Sequence, residues 1–243
     1  MVYMSFHFLA ILREAGKDLD NHIYTAAVGR KFNEDGSVRR FPGNTIICTI
    51  GQDNPLYSEL VSFAESFKEL DCSRKYTLLP SSSYHMTVIQ GVCEEVRKPE
   101  QWSRHLSLDA PLEETDRFFS QQFTKVRVPE QFRMKFSHVN TSGIALTVNL
   151  LPAELEVEAA LRTFRDEVSE WLGLRFPNHD TYKFHISIAY KICQLTEEEE
   201  SELQAFKEQA ESILQKRFGV LTTSKPQLVF FSDMFKFDPA GRS

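Results

Sequence analysis

Two short segments of this 243-residue chain hold the residue types of acid–base chemistry. Tyr84-His85-Met86-Thr87-Val88 and Phe184-His185-Ile186-Ser187-Ile188 follow one pattern: aromatic, histidine, apolar, hydroxyl, β-branched apolar. A free imidazole titrates near ~6.5, so one ring can be neutral while another is charged. The neutral ring can take a proton from an attacking water or hydroxyl, and the protonated ring can give one to a leaving oxygen. Hydroxyls beside them can hydrogen-bond the non-bridging oxygens of a phosphate and stabilise charge that develops there. His85, Thr87, His185 and Ser187 are therefore the candidate catalytic residues. No third ligand stands at HxH, HxxE or CxxC spacing from either histidine, and the set is expected to act without metal or cofactor.

Chemistry of this kind needs both pairs on one surface. In a strand, residues i and i+2 share a face. His85 and Thr87 thus lie on one side with Met86 and Val88 opposite, and the second segment repeats this with Ile186 and Ile188 opposite. The apolar side is expected to meet helices and the polar side a groove. A lone His-x-Thr on a strand is usually an unremarked polar patch; the second copy changes the weighting.

The copies belong to a larger repeat with an offset of 100 residues. Strand 45–50 corresponds to 145–150, the helix near 54–70 to 154–170, and strand 84–92 to 184–192. Cys93 and Cys193 fall at the same offset. Such a duplication predicts two similar lobes about an approximate two-fold axis, with equivalent strands meeting at a central groove. The expected lobes run over about 45–122 and 143–217 of a single bilobal domain, with 1–44 and 218–243 flanking. Other elements read from the pattern are strands at 124–128 and 132–138, two or three strands within 218–237, and a helix from Thr196 to about Lys216. The Thr196/Glu199 spacing of that helix fits a capping box.

Composition limits the partners. A net charge of −6 argues against a dedicated binder of long nucleic acid, while a small anion needs only a few local cations. Cys48, Cys72, Cys93 and Cys193 form no metal spacing and suggest free thiols in a reducing compartment. The apolar run Phe6–Leu12 is too short to span a bilayer, and no signal-peptide pattern opens the chain. A cytoplasmic monomer that does not engage membranes is the expectation.

The paired motifs resemble those of the 2H phosphoesterase superfamily, which includes 2′-5′ RNA ligase-like proteins and cyclic nucleotide phosphodiesterases. Phe41-Pro42-Gly43-Asn44-Thr45 together with Ser83-Tyr84-His85-Met86-Thr87 resembles its DUF1868 branch. The resemblance covers about residues 25–237. It implies an α+β bilobal fold with antiparallel sheets lining the groove and helices outside. It also implies hydrolysis or ligation at cyclic phosphates or 2′-5′ linkages, with a small nucleotide, a cyclic phosphate or short RNA ends as substrate. A non-catalytic nucleotide- or phosphate-binding module is the alternative of a different class.

Three further residues are candidates for substrate contact. Lys183 is two residues before His185 and so shares its face, although a lysine at a strand end is commonly just solvated. Asn44 sits in a Pro-Gly turn, where turn chemistry is the competing reading. Arg39 forms a compact pair with Arg40 that would serve as a clamp or a solvated face. Tyr84 and Tyr190 alternate away from the histidines in regular strands and are expected in the core.

Overall fold

The computed structural model describes residues 23–241. The apolar run Phe6–Leu12, His7 and His22 lie outside the described residues. Eight strands and four α-helices follow one another as β1 (Gly43–Thr49), α1 (Tyr57–Lys68), β2 (Tyr76–Leu78), β3 (His85–Cys93), α2 (Leu112–Phe123), β4 (Arg133–Asn140), β5 (Ala145–Pro152), α3 (Leu155–Leu172), β6 (His185–Lys191), α4 (Glu197–Arg217), β7 (Val220–Thr222) and β8 (Gln227–Phe231). No helix among the described residues is long and apolar enough to cross a membrane.

Local chemistry explains the boundaries. Leu60, Phe63, Ala64 and Phe67 recur at helical spacing and are the buried stripe of α1. At the start of α4, the Thr196 hydroxyl accepts from the Glu199 N–H and the Glu199 carboxylate from the Thr196 N–H, which completes the capping box. Gly173, at φ +68°, ends α3 in the left-handed conformation that favours glycine. One expected strand is absent. Residues 124–128 form a turn after α2, with the Val126 N–H bonded to the Phe123 carbonyl. Their period-2 alternation instead reflects Val126 and Val128 packing on the core while Arg127 binds Glu167 through its N–H.

The sheets of the two halves form one antiparallel sheet in the order β7-β4-β5-β6-β3-β1-β8, with β2 also paired to β6. Read as duplicated units, β1-α1-β3-α2-β4 and β5-α3-β6-α4-β8 exchange their last parts. Strand β4 lies beside β5 of the second unit, and β8 lies beside β1 of the first. The helices follow, α2 packing on α3 and α4 on α1.

The repeat extends to register. Ile47 opposes Thr87 and Thr49 opposes His85; 100 residues on, Thr147 opposes Ser187 and Asn149 opposes His185. Each pairing slips at the same place, between Ile46 and Ile47 and between Leu146 and Thr147. Val88 and Ile188 are the extra residues of these two bulges, and both are fully buried.

The first-half strands also touch closely beyond their bulge. The Asn44 amide is buried, accepts from the Val92 N–H at 3.1 Å and donates to Asp116 at 2.8 Å. A Cβ on Gly91 would overlap both the main-chain and side-chain oxygens of Asn44. Gly91→Ala is therefore expected to lower stability by about 1–3 kcal/mol, as overpacking of a filled interior does. At ~2–4 °C per kcal/mol for a domain of this size, thermal denaturation should show a fall of several degrees; a midpoint unchanged within a degree would contradict the packing argument.

Candidate active site

β3 and β6 meet through a single residue pair, Met86 and Ile186, whose side chains are fully buried. In an antiparallel pair the neighbours on either side then share the opposite face. His85 comes across from Ser187, and Thr87 across from His185. The two histidines occupy diagonal corners, where Cα atoms of such pairs lie ~7–8 Å apart. Beyond this contact β6 turns to β2, with Leu78 opposite Ala189 and Tyr76 opposite Lys191, so β3 and β6 splay and a groove opens between them.

All four motif residues line that groove, which encloses about 250 Å³. This is just below the usual range of ligand pockets (~300–1,000 Å³) and suits a small molecule or a chain end. A second, more open arm continues past Gln90, Tyr182 and His185 over the faces of β4 and β5, bordered by Ser137, Asn140 and Asn149.

The imidazoles are held alike. His85 Nδ1 lies 2.7 Å from the Ser83 carbonyl and His185 Nδ1 lies 2.8 Å from the Lys183 carbonyl. A carbonyl only accepts, so each Nδ1 carries a hydrogen and each Nε2 is left for the groove. Their surroundings differ. The His85 ring packs on Phe237, centroids 4.4 Å apart, while the nearest aromatic ring to His185 is Tyr182 at 6.2 Å. Burial pushes the pKa of His85 down to about 4; its bond to Ser83 works against this, and the charges of His185 and Lys31 add to it. Burial also lowers His185, with its bond to Lys183 opposing and Lys31 assisting.

Several groove residues escaped the sequence reading. Tyr190 lines the groove, contrary to the core position expected from alternation, because the bulge at Ile188 shifts the strand by one residue. The same bulge at Val88 brings Gln90, the equivalent of Tyr190, to the groove. A search for equivalent polar positions in the repeat would have found both. Lys31 and Phe237 come from segments outside the repeat and carried no local signal. Tyr84 is buried as expected. The hydroxyl of Tyr182 bonds with Thr87, and burial raises its pKa to about 12. Its ring stacks on the buried guanidinium of Arg165, 4.7 Å away, which donates to the carbonyls of Val88 and His179.

The three secondary candidates separate. The Lys183 side chain is exposed and borders the second arm, and its carbonyl tethers His185. Asn44 lies at the groove wall, but its amide is committed to Val92 and Asp116. Arg39 is exposed, donates to Asn33 at 3.0 Å and does not line the groove; Lys31, earlier on the same turn segment, lines it instead. The four cysteines are free thiols. Asp166, His179 and Asp180 approach one another as metal ligands would, but Arg175 pairs with both carboxylates, at 3.1 and 2.7 Å.

Residues 31–145 match the family 2H-phosphodiest, described as a domain of unknown function (DUF1868). The match spans just under half of the chain. The 2H match takes in His85 and Thr87 and ends before His185 and Ser187. The second half is tied to the first by the shared register of the repeat. A crystal structure of a conserved protein of unknown function, ATU0111 from Agrobacterium tumefaciens, is similar over 91% of this chain and 97% of its own, with 27% identity and a TM-score of 0.82. TT0787 of Thermus thermophilus aligns over 63% of this chain and 76% of its own at 15% identity and a TM-score of 0.41. LigT of E. coli aligns over 79% and 88% at 8% identity and a TM-score of 0.42. Those two alignments are too loose to inform the chemistry. No curated protein matches the chain.

The depressed His85 pKa has a consequence for acid stability. Unfolded His85 takes up its proton near ~6.5 and folded His85 near about 4. Between those values the unfolded chain binds more protons, so stability falls as pH drops from about 6.5 to about 4. His85→Gln should lose less stability than the wild type between pH 7 and pH 4.5 in denaturant titrations. An equal loss in both proteins would show that His85 is not buried as a neutral ring.

Proposed function

We propose that this protein is a phosphodiesterase that opens a cyclic phosphate of a small nucleotide or a short RNA end by two-histidine acid–base catalysis. The observation that carries the reading is the facing arrangement of His85/Thr87 and His185/Ser187 about one residue pair, with both Nε2 atoms left for the groove. The match of residues 31–145 to the 2H-phosphodiest family supports it.

The roles follow from the surroundings. His85, packed on Phe237 and held neutral, takes the proton of the attacking water through Nε2. His185, with no aromatic ring packed as closely as Phe237 is on His85, is on this reading the one that carries the pair's proton. Protonated His185 then donates to the oxygen that leaves phosphorus. Water oxygen bonds to phosphorus, one P–O ester bond breaks, and the proton lost at His85 is matched by the one given up at His185. The Thr87 and Ser187 hydroxyls donate to the non-bridging oxygens as negative charge gathers there. The diagonal spacing of the imidazoles suits an acid and a base on opposite sides of one phosphorus, as in-line displacement requires.

With a terminal hydroxyl in place of water as the nucleophile, the same steps join a 2′,3′-cyclic phosphate end to that hydroxyl, so both acceptors belong in the assay. The test is a panel of 2′,3′-cyclic nucleotides and 2′-5′ dinucleotides with product analysis. His85→Ala and His185→Ala should each lower kcat by about 10²–10⁴-fold, and Thr87→Ala or Ser187→Ala by up to ~10²–10³-fold. EDTA should leave the rate unchanged. Full activity without either histidine would sink the two-histidine mechanism.

The pH profile offers a second check. The acid limb of kcat/KM reports His85, about 4, and the alkaline limb reports His185, below the ordinary ~6.5. The free enzyme should therefore be most effective in mild acid. An optimum above pH 8 would contradict the assigned roles.

A further inference from the structure

One cation reaches the groove from outside the duplicated units. Lys31 is half-buried, and its Nζ lies 3.0 Å from the Tyr190 hydroxyl, 4.5 Å from the centre of the Tyr190 ring and 5.5 Å from that of Phe41. Its main chain is fixed as well, with the N–H donating to the Ala27 carbonyl at 2.9 Å and the carbonyl accepting from Arg39 N–H at 2.8 Å. Among the described residues no carboxylate forms an ion pair with it. Lysines withdrawn from water are normally paired with an acid. Here two aromatic faces and a phenol steady the ammonium without neutralising it. The charge acts on both imidazoles, lowering His85 and His185 alike.

The duplicated frame explains why a cation is needed and where it falls. Two imidazoles that share one proton supply one positive charge, and the hydroxyls supply none. Attack on a phosphodiester monoanion gathers a second negative charge on its oxygens. The frame is symmetric in histidines and hydroxyls but not two residues beyond the bulges, where the first unit has Gln90 and the second Tyr190. Of these two, Tyr190 is the one that accepts from the Lys31 ammonium, so the added charge meets the second unit's strand.

We propose that Lys31 is a further catalytic group, whose ammonium, steadied by Tyr190 and Phe41, binds a non-bridging oxygen of the phosphoryl group held between His85 and His185. The inference rests on the phosphoesterase reading of the same groove.

Inorganic phosphate is the probe, because its binding does not require turnover. Binding is followed through the imidazole NMR signals of the full chain, alongside hydrolysis of 2′,3′-cyclic nucleotides. Lys31→Met keeps the stem and removes the charge; Lys31→Gln is a second variant should the first fold poorly, and Lys31→Arg restores charge. Arg40→Ala, exposed and outside the groove, is the control. Loss of the charge should weaken phosphate binding at least tenfold, about 1.4 kcal/mol, with Lys31→Arg recovering much of it and Arg40→Ala unchanged. In the free protein both imidazole pKa values should rise when the neighbouring charge is removed, a response that a packing role alone would not give. Tyr190→Phe should lower kcat more than it raises KM, since it loosens the ammonium without deleting it. Wild-type phosphate affinity in both neutral variants, or no phosphate binding by the wild type, would overturn the proposal while leaving any measured hydrolysis standing. Lys31-dependent binding with no turnover of any cyclic substrate would instead sustain the anion site and overturn the phosphodiesterase reading.

Discussion

The single backbone pairing of Met86 with Ile186 is the contact on which the site depends. A longer ladder between β3 and β6 would close the groove, and no contact would leave two unrelated half-sites. One pair sets the four motif residues in register and lets the strands diverge beyond it. The buried Met86 and Ile186 side chains make that register costly to change. A slip of one residue in either strand would carry an imidazole into the core and an apolar side chain into the groove. The chemistry is thus specified by packing on the face away from it.

The bulges extend this control. Each inserts a fully buried residue, Val88 or Ile188, two positions beyond the core residue of the seam. The effect is to present a second pair of side chains, Gln90 and Tyr190, on the face that already carries histidine and hydroxyl. A bulge leaves backbone groups without ladder partners, and a buried unpaired carbonyl would be expensive. In the first unit Arg165 supplies the missing donor to Val88, and the same guanidinium supports the ring of Tyr182 that meets Thr87. A helix residue that never touches the groove thereby links the strand irregularity to the position of a motif hydroxyl.

The four motif residues, the repeat and most elements were legible in the sequence because they depend on local alternation and on an offset that can be counted. The capping box at Thr196 was legible for the same reason. What stayed hidden depends on pairing between distant segments. The facing of Tyr190 was misread because a bulge is a property of two strands, and Ile188 in one strand does not announce it. Arg165 looks like any polar position on an amphipathic helix. Lys31 stands 54 residues before His85, in a turn whose only visible signal was Asp35-Gly36, and the neighbouring arginines drew attention by charge density alone. Segment 124–128 shows the converse error, an alternating pattern that serves packing after a helix without any strand partner.

The exchange of β4 and β8 between the units has an implication for how such a site is assembled. Two chains that trade a terminal strand and helix form a domain-swapped dimer. The arrangement here has that geometry, with residues 141–144 as the link between the end of one unit and the start of the next. Joining the partners makes their association intramolecular, so the groove forms at any protein concentration. It also frees the two halves to differ. In a symmetric dimer Gln90 and Tyr190 would be the same residue, and a lysine on one side would recur on the other. Covalent linkage lets the two halves surround the same histidine and hydroxyl positions with different neighbours, Gln90 on one side and Tyr190 with Lys31 on the other.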